Sequence, residues 1–122
     1  MNNKKLGNDF EQELCEMFAD RGFWAHFMSP NNSGAQPCDI IIAKSGTAFL
    51  VDAKTCKDKY FNISRLEDNQ ISAFEKWIDC GNTQPYVAVK HNEFIYLITY
   101  EILKKIKRIN LEELKPWEKS KY

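Results

Sequence analysis

The chain has 122 residues, which suits one domain spanning residues 1–122 and leaves no room for a second. Hydrophobic residues make up 43% and charged residues 28%, as in an ordinary soluble globular protein; no apolar run approaches a membrane span and the polar Met-Asn-Asn-Lys-Lys start is not a signal peptide. The formal net charge is zero, so a nucleic-acid partner would have to be met by local segregation of charge, not by a basic excess.

Leu6, Phe10, Leu14, Met17 and Phe18 recur at helical spacing, predicting an amphipathic helix from about Lys4 to Arg21 that stops at Gly22. Glu11 borders the apolar stripe and can lean over a neighbouring sheet. Glu13 reads as an exposed helix glutamate. Phe23 to Met28 is short and aromatic-rich and reads as the first strand, with His26 a sheet residue and not a ligand. Ser29 to Gln36 is a loop by composition.

Two apolar runs then flank Ser45-Gly46, which is a hairpin signal. With the turn there, residue 44 faces 47 and 43 faces 48, so Asp39 falls directly opposite Asp52, with Cβ atoms roughly 5 Å apart. Facing carboxylates destabilise a sheet unless something positive lies between them. Lys54 lies two residues beyond Asp52 and projects from the same face. Carboxylate oxygens completed by waters and a phosphate oxygen are the ligand set that Mg²⁺ prefers.

A polar stretch follows from Thr55 to Asn62. Ser64-x-x-Glu67 is a capping-box signature for a helix from about Arg65 to Cys80, with Gln70 on it. The segments 85–90 and 93–98 read as strands separated by His91-Asn92. Thr99 is placed to cap a short helix carrying Ile102, Leu103 and Ile106, and the tail holds one more turn at Leu111 to Leu114 before Pro116. Lysines 54, 57 and 59 cluster after the hairpin, and Lys104, Lys105, Lys107 and Arg108 near the end; each cluster taken singly reads as a solvated face. The four cysteines are far apart, without a CxxC pair or a zinc pattern, and read as reduced thiols. These elements predict an α/β fold: a mixed sheet of about five strands flanked by helices.

Pro37-x-Asp39, a strand-length gap, then Asp52-x-Lys54 resembles the PD-(D/E)XK nuclease superfamily, with Asp where Glu is commoner. Gly7-x-x-Phe10-Glu11-x-Glu13-Leu14, ending in Arg21-Gly22-Phe23, is similar to the first helix of archaeal Holliday junction resolvases. The stretch from Asp52 to Lys59, followed by Asp68-Asn69-Gln70-Ile71, resembles the recombination protein U family of junction resolvases. The resemblance covers about residues 4 to 98.

It implies a restriction-endonuclease-like core and a Mg²⁺-dependent endonuclease, with Mn²⁺ as a substitute, acting on branched DNA. Glu11, Asp39 and Asp52 are then metal ligands, Lys54 and Gln70 complete the catalytic set, and Ser33, Lys57 and Lys59 are candidate DNA contacts. It also implies a homodimer working in the cytoplasm at the nucleoid, and a phage or mobile-element origin fits the small size. A restriction- or repair-type nuclease acting on duplex, flap or single-stranded DNA, and a non-catalytic DNA-binding module of the same fold, remain open alternatives.

Overall fold

The computed structural model describes residues 3–28 and 36–121, with side chains from Asp9 onward. Ser33 lies outside the described residues.

The first helix, α1 (Asn3–Asp20), carries Phe10, Leu14, Met17 and Phe18 as one buried stripe. Gly22, at φ +87°, ends it in a left-handed conformation, and Phe23 N–H donates back to Phe18 O (3.1 Å). The chain turns there into β1 (Trp24–Phe27), where His26 is an exposed sheet residue stacked on Trp24. After the undescribed segment come β2 (Ile40–Lys44) and β3 (Thr47–Thr55). Ser45 (φ +53°) and Gly46 (φ +80°) both take positive φ, the backbone twist that suits a two-residue hairpin. The register runs from Lys44↔Thr47 to Ile40↔Val51, as the alternation predicts, so Asp39 stands opposite Asp52 one step beyond the paired residues.

β4 (Tyr60–Asn62) leads into a 3-10 turn at Ile63–Arg65, and α2 runs over Asp68–Asp79. The predicted start near Arg65 is corrected. Leu66 is buried in the core, so its backbone is extended and the helix begins after it. The reciprocal cap shifts accordingly: Gln70 Oε1 accepts from Glu67 N–H (3.0 Å), replacing the expected Ser64–Glu67 pair.

β5 (Tyr86–His91) and β6 (Phe94–Thr99) form the second hairpin, turning at Asn92 and Glu93. His91 is therefore a strand residue paired with Phe94, not a turn residue. α3 (Tyr100–Ile106) is capped by Thr99, whose Oγ1 accepts from Ile102 N–H (3.3 Å). β7 (Arg108–Asn110), a 3-10 turn at Leu111–Glu113 and β8 (Glu118–Lys119) complete the chain.

The main sheet has six strands in the order β1-β2-β3-β5-β6-β8, and all its pairs are antiparallel except β3–β5. A separate ribbon pairs β4 with β7. The expected five strands become six plus the ribbon, because β4, β7 and β8 are too short to show a period in sequence. On one side of the sheet, α1 buries Phe10, Leu14 and Phe18 against Ile40, Val51 and Ala88. On the other, Phe74, Tyr100, Leu103, Phe61 and Ile109 close over Leu50, Val87 and Ile98.

Glu13 is also corrected. It is 2% exposed, not a solvated helix position. Its carboxylate accepts from Ser120 Oγ (2.8 and 3.0 Å) and Lys121 N–H (2.6 Å), with Lys90 Nζ at 3.6 Å. Ser120 and Lys121, just past β8 and more than a hundred residues away in sequence, cover it.

Candidate active site

The hairpin delivers Asp39 and Asp52 to one face, and both are buried: Asp39 is 6% exposed and Asp52 0%. Asp39 Oδ2 accepts from Ala53 N–H (2.8 Å), and its Oδ1 accepts from Gln36 Nε2 (3.2 Å). Because Asp39 lies past the last paired residue of β2, its side chain takes the place of a strand partner for Ala53. Lys54 Nζ stands 3.2 Å from Asp52 Oδ2, an ion-pair distance, and among the described residues Oδ2 has no other polar partner.

Gln70 joins these groups. At the third position of α2 it is 6% exposed, not a solvated amide. Its Nε2 donates to Asp52 Oδ1 (2.8 Å), while its Oε1 accepts from Lys54 Nζ (3.3 Å) and Glu67 N–H (3.0 Å). One amide thus fixes the acid, the amine and the helix start. Glu11 reaches the same place from α1, half-buried and in electrostatic contact with Asp39 and Lys54.

Glu11, Gln36, Asp39, Ala53, Lys54, Glu67, Asn69 and Gln70 line an open cavity of about 280 Å³. Asp52 sits one layer behind its wall. A larger hollow of about 350 Å³, lined by Asp9, Gln12, Glu13 and Glu16 along α1, offers only acids and an amide. The smaller cavity is where acids, an amine and amide donors converge.

The electrostatics show what the cavity lacks. Burial, then the nearby charge of Asp39, raises the Glu11 carboxyl to about 8; Lys54 opposes this only in part. Burial, then Asp39, likewise holds Asp52 well above the ordinary carboxylate range, again against Lys54. Burial beside the same acids pushes the Cys38 thiol up to about 12, leaving it a neutral core group. One ammonium does not neutralise three converging carboxyls. A divalent cation fits this shortage: Asp52 Oδ2 is a buried oxygen whose one cationic neighbour among the described residues is Lys54, and burial and the charge of Asp39 raise the Glu11 and Asp52 carboxyls. Among the described residues, no three acids, histidines or thiols form a ready-made ligand cage.

Of the predicted site residues, Glu11, Asp39, Asp52, Lys54 and Gln70 come together. Lys57 and Lys59 do not reach the cavity; both are exposed between β3 and β4. Sequence reasoning missed Gln36 and Asn69, whose Nδ2 donates to Gln36 O (3.0 Å) and ties the segment before Asp39 to α2. Nothing in the sequence marks that contact, which is made by tertiary packing.

A family model described as archaeal Holliday junction resolvase matches residues 2–118. The chain belongs to this family. It is therefore a Holliday junction-resolving nuclease by family. A solved structure described as a Holliday junction resolvase from the archaeal hyperthermophile Archaeoglobus fulgidus is 19% identical to this resolvase, with a TM-score of 0.69. The match covers 87% of this chain and 89% of that one, and it is a likeness of fold. No curated protein sequence matches the chain.

Proposed function

We propose that this resolvase cuts four-way DNA junctions by Mg²⁺-dependent phosphodiester hydrolysis, with Mn²⁺ as a working substitute. Asp39 and Asp52 would hold the ion, with Glu11 assisting. The single observation that carries the reading is the buried Asp52 Oδ2, which among the described residues meets only the Lys54 ammonium, behind a cavity where Glu11 and Asp39 crowd that one lysine. When bound, the ion supplies Lewis acidity toward a phosphate oxygen and lowers the pKa of an attacking water.

The protein's own groups do the rest. Lys54 is held at the cavity wall by Gln70 and Asp52, where its ammonium can offset charge developing on the phosphate. Gln70 keeps Asp52 and Lys54 in fixed relation, so neither has to reorganise during the reaction. Ala53 N–H and Gln36 hold Asp39 in place. Lys57 and Lys59 would meet DNA phosphates outside the cavity, and Ser33 is assigned a phosphate contact by family resemblance alone. Cutting two opposed strands of a junction calls for two sites, so the working unit is proposed to be a two-fold dimer. No described helix is long and apolar enough to cross a membrane, and the proposed place of action is the cytoplasm, at the nucleoid.

The test is cleavage of a synthetic four-way junction beside duplex and flap substrates, in Mg²⁺, Mn²⁺ and EDTA. Parent protein cuts the junction in metal alone, and Asp52→Asn and Lys54→Ala are inactive with unchanged circular dichroism. Equal cutting by either variant, or preference for duplex or flap, refutes the assignment.

A further inference from the structure

We infer that the β4–β7 ribbon is a phosphate clamp for a DNA arm leaving the cut site, with Arg108, Lys107 and Arg65 as its cations and Tyr60 as the residue that positions Arg108. The inference rests on the nuclease reading above, and it explains how a chain of zero net charge holds a polyanion.

In the ribbon's register Phe61 faces Ile109, and both side chains are buried. The alternate residues, Tyr60, Asn62, Arg108 and Asn110, therefore point outward together. On that face the Arg108 guanidinium carbon lies 4.0 Å from the Tyr60 ring centroid, and Lys59 Nζ approaches the same ring at 5.3 Å. A guanidinium laid flat on an aromatic ring keeps its N–H edge free for a phosphate and loses less freedom on binding one. The Arg65 guanidinium carbon stands 5.7 Å from the Phe61 ring on the neighbouring turn.

Five cations gather at this corner. Lys57, Lys59, Arg65, Lys107 and Arg108 have no acidic partner among the described residues, a state shared elsewhere by Lys44, Lys76, Lys105 and Lys115, while Arg21, Lys104, Lys119 and Lys121 each have one. Two acids near the ribbon are already engaged: Asp58 Oδ1 accepts from Tyr60 N–H (3.0 Å), and Glu112 lies 3.3 Å from His91 Nε2. Five cations free of ion pairs thus lie on two short stretches, 57–65 and 107–108, that the ribbon brings side by side.

Backbone strain and connectivity point the same way. Lys107 ends α3 at φ +67°, ψ −38°, a conformation that L residues rarely adopt. Its carbonyl accepts from Ile63 N–H (2.8 Å), which locks the joint against the turn after β4. The strained residue is itself basic and adjoins Arg108. Arg65 Nη2 donates to Thr55 O (2.9 Å), the residue after Lys54. The clamp is therefore coupled directly to the catalytic strand.

The test measures junction affinity by fluorescence anisotropy in EDTA across a salt series, with single-turnover cleavage at saturating protein. Arg108→Ala should weaken binding several-fold and flatten the dependence of log K on log salt by about 0.9 for each phosphate no longer neutralised. Arg108→Gln should do the same, and circular dichroism should show both variants folded. Tyr60→Ala should weaken binding while Tyr60→Phe, which keeps the ring, restores it. Lys115→Ala, an exposed lysine elsewhere, should change neither affinity nor slope. Unchanged affinity and slope in Arg108→Ala, beside a parent that binds and cuts normally, overturn the clamp. A parent that neither binds nor cuts junctions overturns the nuclease reading itself.

Discussion

Replacing Gln70 by alanine should destabilise the metal-free protein and disable the site together. The substitution deletes three hydrogen bonds: the donor to Asp52 Oδ1, the acceptor for Lys54 and the acceptor for Glu67 N–H at the start of α2. Stripping a donor from the fully buried Asp52 costs about 1–3 kcal/mol, and losing the helix cap adds about 1 kcal/mol. The Lys54 hydrogen bond is partly exposed and long, and adds little. For a domain of this length each kcal/mol is worth about 4 °C in Tm, so a fall of roughly 8–16 °C is expected. Urea and thermal unfolding in EDTA measure this, and single-turnover junction cleavage reads the site. A cycle with Asp52→Ala separates the two roles: without the carboxylate, Gln70→Ala should cost only the cap, about 1 kcal/mol. A variant within about 0.5 kcal/mol of the parent, or one that cuts at the parent's rate, would show that the amide is a bystander.

The raised carboxyls of Glu11 and Asp52 mean that the folded state binds protons more tightly than the unfolded chain. Their contribution is complete below the ordinary carboxylate range and is lost as pH rises toward about 8, the Glu11 value. In EDTA, Tm should therefore drop from pH 5 to pH 8, and Mn²⁺ should restore it most at the high end; a rise with pH in EDTA contradicts the charge crowding. Lys107→Gly relieves the strained φ of +67° and should raise Tm by a few degrees, on the order of 1 kcal/mol, while weakening junction binding in the anisotropy assay. Glu13→Ala removes the acceptor that holds Ser120 and Lys121, and should cost about 2–4 kcal/mol in urea unfolding because its hydrogen bonds are charge-assisted and buried. Stability unchanged in that variant would mean that the tail is held by other contacts.

The central hairpin is legible in the sequence because its signals are local. Ser45-Gly46 specifies the turn, the alternation of apolar residues sets the register, and a period of two then carries Asp39 opposite Asp52 without further information. Glu11 is placed by its position beside the stripe together with the family motif. Glu13, two residues on, cannot be placed from local pattern, since its burial is supplied by Ser120 and Lys121 at the far end of the chain. The start of α2 escapes local reading for a related reason. Two capping signatures overlap, Ser64 with Glu67 and Glu67 with Gln70, and the demand of Leu66 for the core decides between them. Strands of two or three residues, such as β8 and β4, carry too few side chains to show a period. The Gln36–Asn69 contact joins segments with no shared pattern at all.

The parallel pairing of β3 with β5 has a temporal consequence. One edge of β3 meets a neighbour joined to it by two residues, so that half can zip up within microseconds. The other edge must wait for residues 56–85 to loop over and dock, a slower closure that also brings Gln70 to Asp52. Pulsed hydrogen exchange should find amides of the β2–β3 pair protected before those of α2. A nascent or half-made chain would then carry its acids early and its arranged site last, so that a DNA-cutting protein stays harmless until it is finished.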